Sequence, residues 1–187
     1  MRNAKSNTKR AGQPPNFWGN YQDKVPKEQK ENIIKQYFSQ NMLFIYTDMS
    51  MRIDRGMMAV ACTYVSSGTV MVKHQIVHPP FGCKQINVYG ELVAIQFAFN
   101  QFLKHVGDCN SVTIYSDVRD INEILNQTIM FKRNPSLKQL QEKLILLYQK
   151  KKEQYPNLSV QYLTSDQKAH NPFYKASHNA SRKLLGL

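Results

Sequence analysis

Residues 42–48 read Met42-Leu43-Phe44-Ile45-Tyr46-Thr47-Asp48, a continuous apolar run of strand length that stops at an aspartate. A strand covered on both faces of a sheet calls for such a run. A second segment repeats the pattern, since Ser111-Val112-Thr113-Ile114-Tyr115-Ser116 leads directly into Asp117. In an open α/β sheet, sites form beyond the carboxyl ends of the strands. If these two strands are parallel neighbours, Asp48 and Asp117 stand side by side.

Outward from this pair the chain divides into short elements. Met57 to Val65 and Thr69 to Val77 read as strands, joined by the hairpin signal Ser66-Ser67-Gly68. His78-Pro79-Pro80 breaks the third strand. A helix is predicted from Glu91 to Val106, where Leu92, Ile95, Phe99, Phe102 and Val106 recur at steps of three and four. Beyond Asp117, Val118 to Thr128 suits a short helix. Phe131-Lys132-Arg133-Asn134-Pro135 is a basic loop, and Ser136 is placed to cap a helix from Leu137 to Gln154. Leu158 to Leu163 reads as a fifth strand. After a polar loop, a last helix runs from Pro172 to Leu185. The order β-β-β-α-β-α-α-β-α predicts an α/β domain over residues 42–187, with a mixed five-stranded sheet flanked by helices.

Residues 1–41 have a different character and are predicted to be a basic N-terminal extension. MRNAKSNTKRAGQPPN is polar, basic and broken by Pro14 and Pro15, so disorder is expected there. Phe17, Trp18 and Tyr21 are positioned to anchor on the domain or to stack on bases. Lys27 to Gln40 reads as a short helix with Ile33, Ile34, Tyr37 and Phe38 on one side. The first 40 residues hold eight Lys or Arg against three acids, which suits phosphate contacts, while residues 33–38 suit a protein partner.

Composition narrows the function. Of 187 residues, 42% are hydrophobic, enough for a core and too many for a disordered chain. A formal charge of +12 favours polyanions, nucleic acid before membrane surface. No apolar stretch reaches transmembrane length, and the N-terminus lacks the apolar block of a signal peptide. Cys62, Cys83 and Cys109 are not spaced as a metal clip or redox pair, so a reduced, cytoplasmic setting is expected.

Glu91 supplies a third acid. It opens the predicted helix, and its side chain points back toward the helix N-terminus, which faces the edge of Asp48 and Asp117 if the helix packs antiparallel to the fourth strand. Three neighbouring carboxylates repel one another and call for a cation, and hard oxygen ligands suit Mg²⁺ or Mn²⁺. Taken singly, Asp117 also reads as a helix cap and Glu91 as a first-turn acid.

These segments resemble the type 1 ribonuclease H family over residues 42–185. Tyr46-Thr47-Asp48-Met49-Ser50 resembles the family's first-strand TDGS, with Met49 in place of Gly. Asn87-Val88-Tyr89-Gly90-Glu91-Leu92 resembles its N-x-x-x-E-L, and Tyr115-Ser116-Asp117-Val118 its fourth-strand TDS, with Val118 in place of Ser. The resemblance implies a ribonuclease H-like fold and a metal-dependent endonuclease that cuts the RNA strand of RNA–DNA hybrids. Asp48, Glu91 and Asp117 would hold the metal. Ser50, Asn87, Lys132 and Arg133 would contact nucleic acid.

The departure lies near the C-terminus. The family carries a loop His and then a fourth acid in N-x-x-A-D-x-L-A. Aligned on Ala176 and Ala180, Ser177 takes the place of that acid, and a one-residue shift puts His178 there. His170 suits the loop His, and Asp166 is a replacement carboxylate for the fourth corner. Fewer acidic ligands weaken a second metal site. The competing reading is therefore a nucleic-acid-binding module with weakened or lost catalysis. A third is another nuclease of the superfamily, such as a junction resolvase or a proofreading exonuclease. The exonuclease is disfavoured because Asp48-Met49-Ser50 lacks the Asp-x-Glu pattern.

Overall fold

A computed structural model describes residues 15–187. The expected disorder of the first sixteen residues falls almost wholly outside this range. Five strands form one sheet in the order β3-β2-β1-β4-β5. They are β1 (Met42–Arg52), β2 (Met57–Ser66), β3 (Thr69–Val77), β4 (Ser111–Ser116) and β5 (Leu158–Tyr162). β1 runs antiparallel to β2 and parallel to β4, and β4 runs parallel to β5. The hairpin between β2 and β3 turns at Ser67 (φ 49°) and Gly68 (φ 73°). Two consecutive left-handed residues match the twist of the flanking strands.

Strand periodicity assigns the two faces. Leu43 and Ile45 enter one core with Cys62, Leu92, Ile95, Phe99, Ile114 and Leu144. Phe44 and Tyr46 point the other way and join Ile33, Val65, Leu163 and Phe173. The first face is covered by α2 (Asn87–Gln101), α3 (Ile121–Leu125) and α4 (Pro135–Gln154). The second face carries α1 (Lys27–Phe38) and α6 (Pro172–Leu184), with α5 (Ser165–Lys168) in the connection before α6. α1 is tied to the sheet by Ile33, 1% exposed, and by the Tyr46 hydroxyl, which donates to the Gln36 amide oxygen. Backbone N–H groups of Ser67 and Gly68 also donate to the carbonyls of Ser39 and Tyr37.

Several boundaries differ from the sequence-based expectation. β1 does not stop at Asp48 but continues to Arg52, because β2 offers a partner for each residue from Phe44 on, with Asp48 opposite Ala61 and Arg52 opposite Met57. α2 begins at Asn87, four residues before Glu91, so Glu91 lies in its second turn. Val88 packs against the first core and extends the apolar stripe of Leu92, Ile95 and Phe99 backwards. α2 gives way to a 3-10 turn over Phe102–Lys104 instead of continuing to Val106. Asn134, not Ser136, caps α4: its side chain accepts from Leu137 N–H and Pro135 takes the first helical position. The polar loop after β5 contains α5, closed by a capping box between Thr164 and Gln167.

Candidate active site

The parallel register of β1 and β4 pairs Tyr46 with Tyr115, so Asp48 and Asp117 follow at equivalent steps past the same end of the sheet. α2 reaches this end from one face. Its approach depends on Gly90, where a Cβ would overlap the Met49 side chain and press on Met58 Sδ. That close contact of helix on strand brings Glu91 over the strand ends. From the other face comes α6, presenting Tyr174, His178 and Ser181 at spacings of four and three, one helical stripe. Asp48, Glu91, Asp117, Tyr174 and His178 line a single open cleft of about 330 Å³, together with Asn87 and Ser50.

Each carboxylate has different partners. Asp48 is 3% exposed. Its Oδ2 accepts from the Ser181 hydroxyl at 2.6 Å, and its Oδ1 lies 3.4 Å from His178 Nδ1. Ser50 is buried and its hydroxyl meets that of Ser181 at 2.8 Å, so Ser50 buttresses Asp48 through Ser181. Asp117 Oδ2 is held by Lys168 Nζ at 2.7 Å and by the Tyr174 hydroxyl at 3.2 Å. The remaining oxygen, Asp117 Oδ1, is buried with no hydrogen-bond partner, and so is Glu91 Oε2.

The electrostatics follow from this crowding. Burial pushes the Asp48 carboxyl above its ordinary range, against the pull of Ser181 and His178. Burial, and then the charges of Asp117 and Asp48, lift Glu91 well above the usual carboxylate value, with Lys168 opposing. The Tyr174 phenol is raised too, first by burial and then by the neighbouring carboxylates. The cluster is short of positive charge.

Two partnerless, buried carboxylate oxygens beside a third acid suit a hard divalent cation in ligand chemistry. Their arrangement is open. Among the described residues no group of three or more His, Cys, Asp or Glu stands as a ready-made metal site.

Of the residues weighed for the fourth ligand position, only His178 lines the cleft, facing Asp48. Ser177 is fully buried, and its hydroxyl donates to the Tyr174 carbonyl at 2.8 Å, away from the cleft. Asp166 is exposed and lines a different pocket, between α1 and α5. His170 is exposed at φ 62° in the turn before α6. Its carbonyl accepts from the Trp18 indole at 2.7 Å. Lys132 and Arg133 are exposed and border their own hollow, outside the carboxylate cleft. Lys168, Tyr174 and Ser181 were not expected. The α6 stripe was the available signal for the last two.

No protein-family model and no curated protein sequence matches the chain. Comparison with solved structures does give matches, and they show that the chain has the ribonuclease H-like fold. LC11-RNase H1, isolated from compost by a metagenomic approach, aligns over 78% of this chain and 99% of its own at 20% identity and a TM-score of 0.55. The same enzyme in complex with an RNA/DNA hybrid aligns over 76% of this chain and 99% of its own at 19% identity, with a TM-score of 0.54. The N-terminal RNase H domain of rv2228c from Mycobacterium tuberculosis, solved as a fusion with maltose-binding protein, covers 78% of this chain and 99% of that chain. Its identity is 13% and its TM-score 0.54.

Proposed function

We propose that this protein is a divalent-metal-dependent endonuclease that cleaves the RNA strand of RNA–DNA hybrids. The observation that carries the reading is the pair of buried, partnerless oxygens, Glu91 Oε2 and Asp117 Oδ1, sharing one cleft with Asp48. A nuclease needs such oxygens for Mg²⁺ or Mn²⁺, which when bound activate water and neutralise charge on the phosphate. A formal charge of +12 supports a polyanionic substrate. The fold shared with an enzyme solved on an RNA/DNA hybrid supports that substrate class over others.

In this reading the chain's own residues have distinct tasks. Asp48, Glu91 and Asp117 are the ligands. Ser181, backed by Ser50, fixes the orientation of Asp48. Lys168 and Tyr174 hold one oxygen of Asp117 while the cleft is without metal, and Lys168 gives way when the cation arrives. Asn87, exposed on the rim of the cleft, is suited to a minor-groove contact with the hybrid.

A second reading, a hybrid-binding module without turnover, is favoured by two observations. A histidine, His178, and not an acid faces Asp48, and Lys168 already pairs with Asp117. Incubation of a labelled hybrid with Mg²⁺, Mn²⁺ or chelator separates the two. The proposal expects RNA-strand cleavage that chelation, Asp48→Asn and Asp117→Asn each abolish. Salt-sensitive binding with no cleavage in either metal establishes the second reading instead.

A further inference from the structure

Next to the carboxylate cleft lies a second hollow of about 410 Å³, formed where the N-terminal segment crosses the start of α6. Trp18 and Tyr21 line one side, Lys175 and His170 the other, and Tyr174 and His178 line both hollows. The second hollow therefore adjoins the candidate active site across Tyr174 and His178.

The aromatic residues here fall into two kinds. Phe17 is committed to packing, with edge contacts to Tyr37 and Phe173. Trp18 is half-buried and oriented by its bond to the His170 carbonyl, while Tyr21 is 66% exposed with Lys24 over its ring. A large exposed aromatic beside a held indole is not required by the core. Of the two lysines lining the hollow, Lys168 is pinned to Asp117 and Lys175 is exposed and makes no ion pair among the described residues.

We infer that this hollow binds one unpaired nucleotide adjoining the duplex, its base stacked on Trp18 and Tyr21 and its phosphate met by Lys175. The inference rests on the nuclease reading of the neighbouring cleft and adds a preference to it. Bases inside a duplex have both faces covered by their neighbours, so only a terminal or unpaired base can stack on a protein ring. The substrate that fits is a hybrid flanked by single strand, not a blunt one. Aromatic stacking tolerates any base, so no sequence preference follows.

Trp18 is the single tryptophan of the chain, so its emission reports on this hollow alone. The full-length protein, kept in chelator to prevent cleavage, is titrated with a blunt RNA–DNA hybrid. It is then titrated with hybrids carrying a short unpaired tail at each of the four strand ends. At least one tail should tighten binding roughly five- to tenfold and change the Trp18 emission, as stacking on aromatic rings does. Tyr21→Ala and Lys175→Gln, both at exposed positions that leave folding intact, should remove most of that gain and leave the affinity for the blunt hybrid unchanged. Equal affinity for all tailed and blunt hybrids, with unchanged emission, overturns the inference while the nuclease reading stands. Failure to bind any of the hybrids overturns the inference, and absence of cleavage in Mg²⁺ and Mn²⁺ as well overturns the nuclease reading with it.

Discussion

Lys168 Nζ lies 2.7 Å from Asp117 Oδ2, with both side chains about four-fifths shielded from solvent. An ammonium held this close neutralises one of the three clustered carboxylates before any cation arrives. Lysine and divalent ion therefore compete for Asp117. Replacing Lys168 by Gln should tighten Mg²⁺ binding roughly three- to tenfold in calorimetry without nucleic acid. Unchanged affinity would show that Lys168 does not oppose the cation.

His178, one of the two residues that align with the fourth acid of the family the sequence resembles, faces Asp48. His178→Asp puts a like charge beside Asp48, so the metal-free variant should melt lower by about 2–4 °C. Divalent ion should reverse this, because the added carboxylate is also an added ligand. The predicted signature is a larger rise in Tm on adding Mg²⁺ than the wild type shows. A smaller rise than in the wild type would place the corner outside the metal site.

Glu91 sets a pH dependence in the metal-free protein. Burial and its acidic neighbours raise its folded-state value well above the ordinary 4.5. A carboxyl of this kind binds more protons folded than unfolded. Its effect on stability is nil below about the ordinary value and increasingly unfavourable as pH climbs toward the raised one. Thermal melts in chelator should show Glu91→Gln equal to the wild type near pH 4 and more stable near pH 8. A variant less stable than the wild type at pH 8 would contradict this account of Glu91.

α1 contributes to the second core as well as to the charge of the N-terminal region. Ile33 is 1% exposed and packs with Phe44, Tyr46 and Phe173. Ile33→Ala should lower the unfolding free energy by about 2–5 kcal/mol in urea titration, the range for emptying a buried aliphatic site. A loss below about half a kcal/mol would make α1 an appendage rather than part of the folded unit.

The parts of the fold legible in the sequence are those with a local signature. Asp48 and Asp117 each follow an apolar run, and parallel pairing of the two runs carries both acids to one end of the sheet. The hairpin at Ser67-Gly68 and the buried stripe of α2 were legible for the same reason. What stayed hidden depends on distant partners. β1 runs past Asp48 only because β2 supplies the ladder. Lys168 in a polar stretch carries no mark that it will meet Asp117, and Ser181 reaches Asp48 across 133 positions of chain. The choice between Ser177 and His178 turned on a one-residue offset that motif alignment left open, and helix orientation directs only His178 into the cleft.

Asp48, Glu91 and Asp117 are proposed to bind a divalent cation together. Anomalous diffraction from a crystal soaked in Mn²⁺ tests it most directly. At least one manganese peak is expected within coordination distance of all three carboxylates, with Lys168 displaced from Asp117. A well-ordered cleft with no peak, and Lys168 still paired with Asp117, would contradict it.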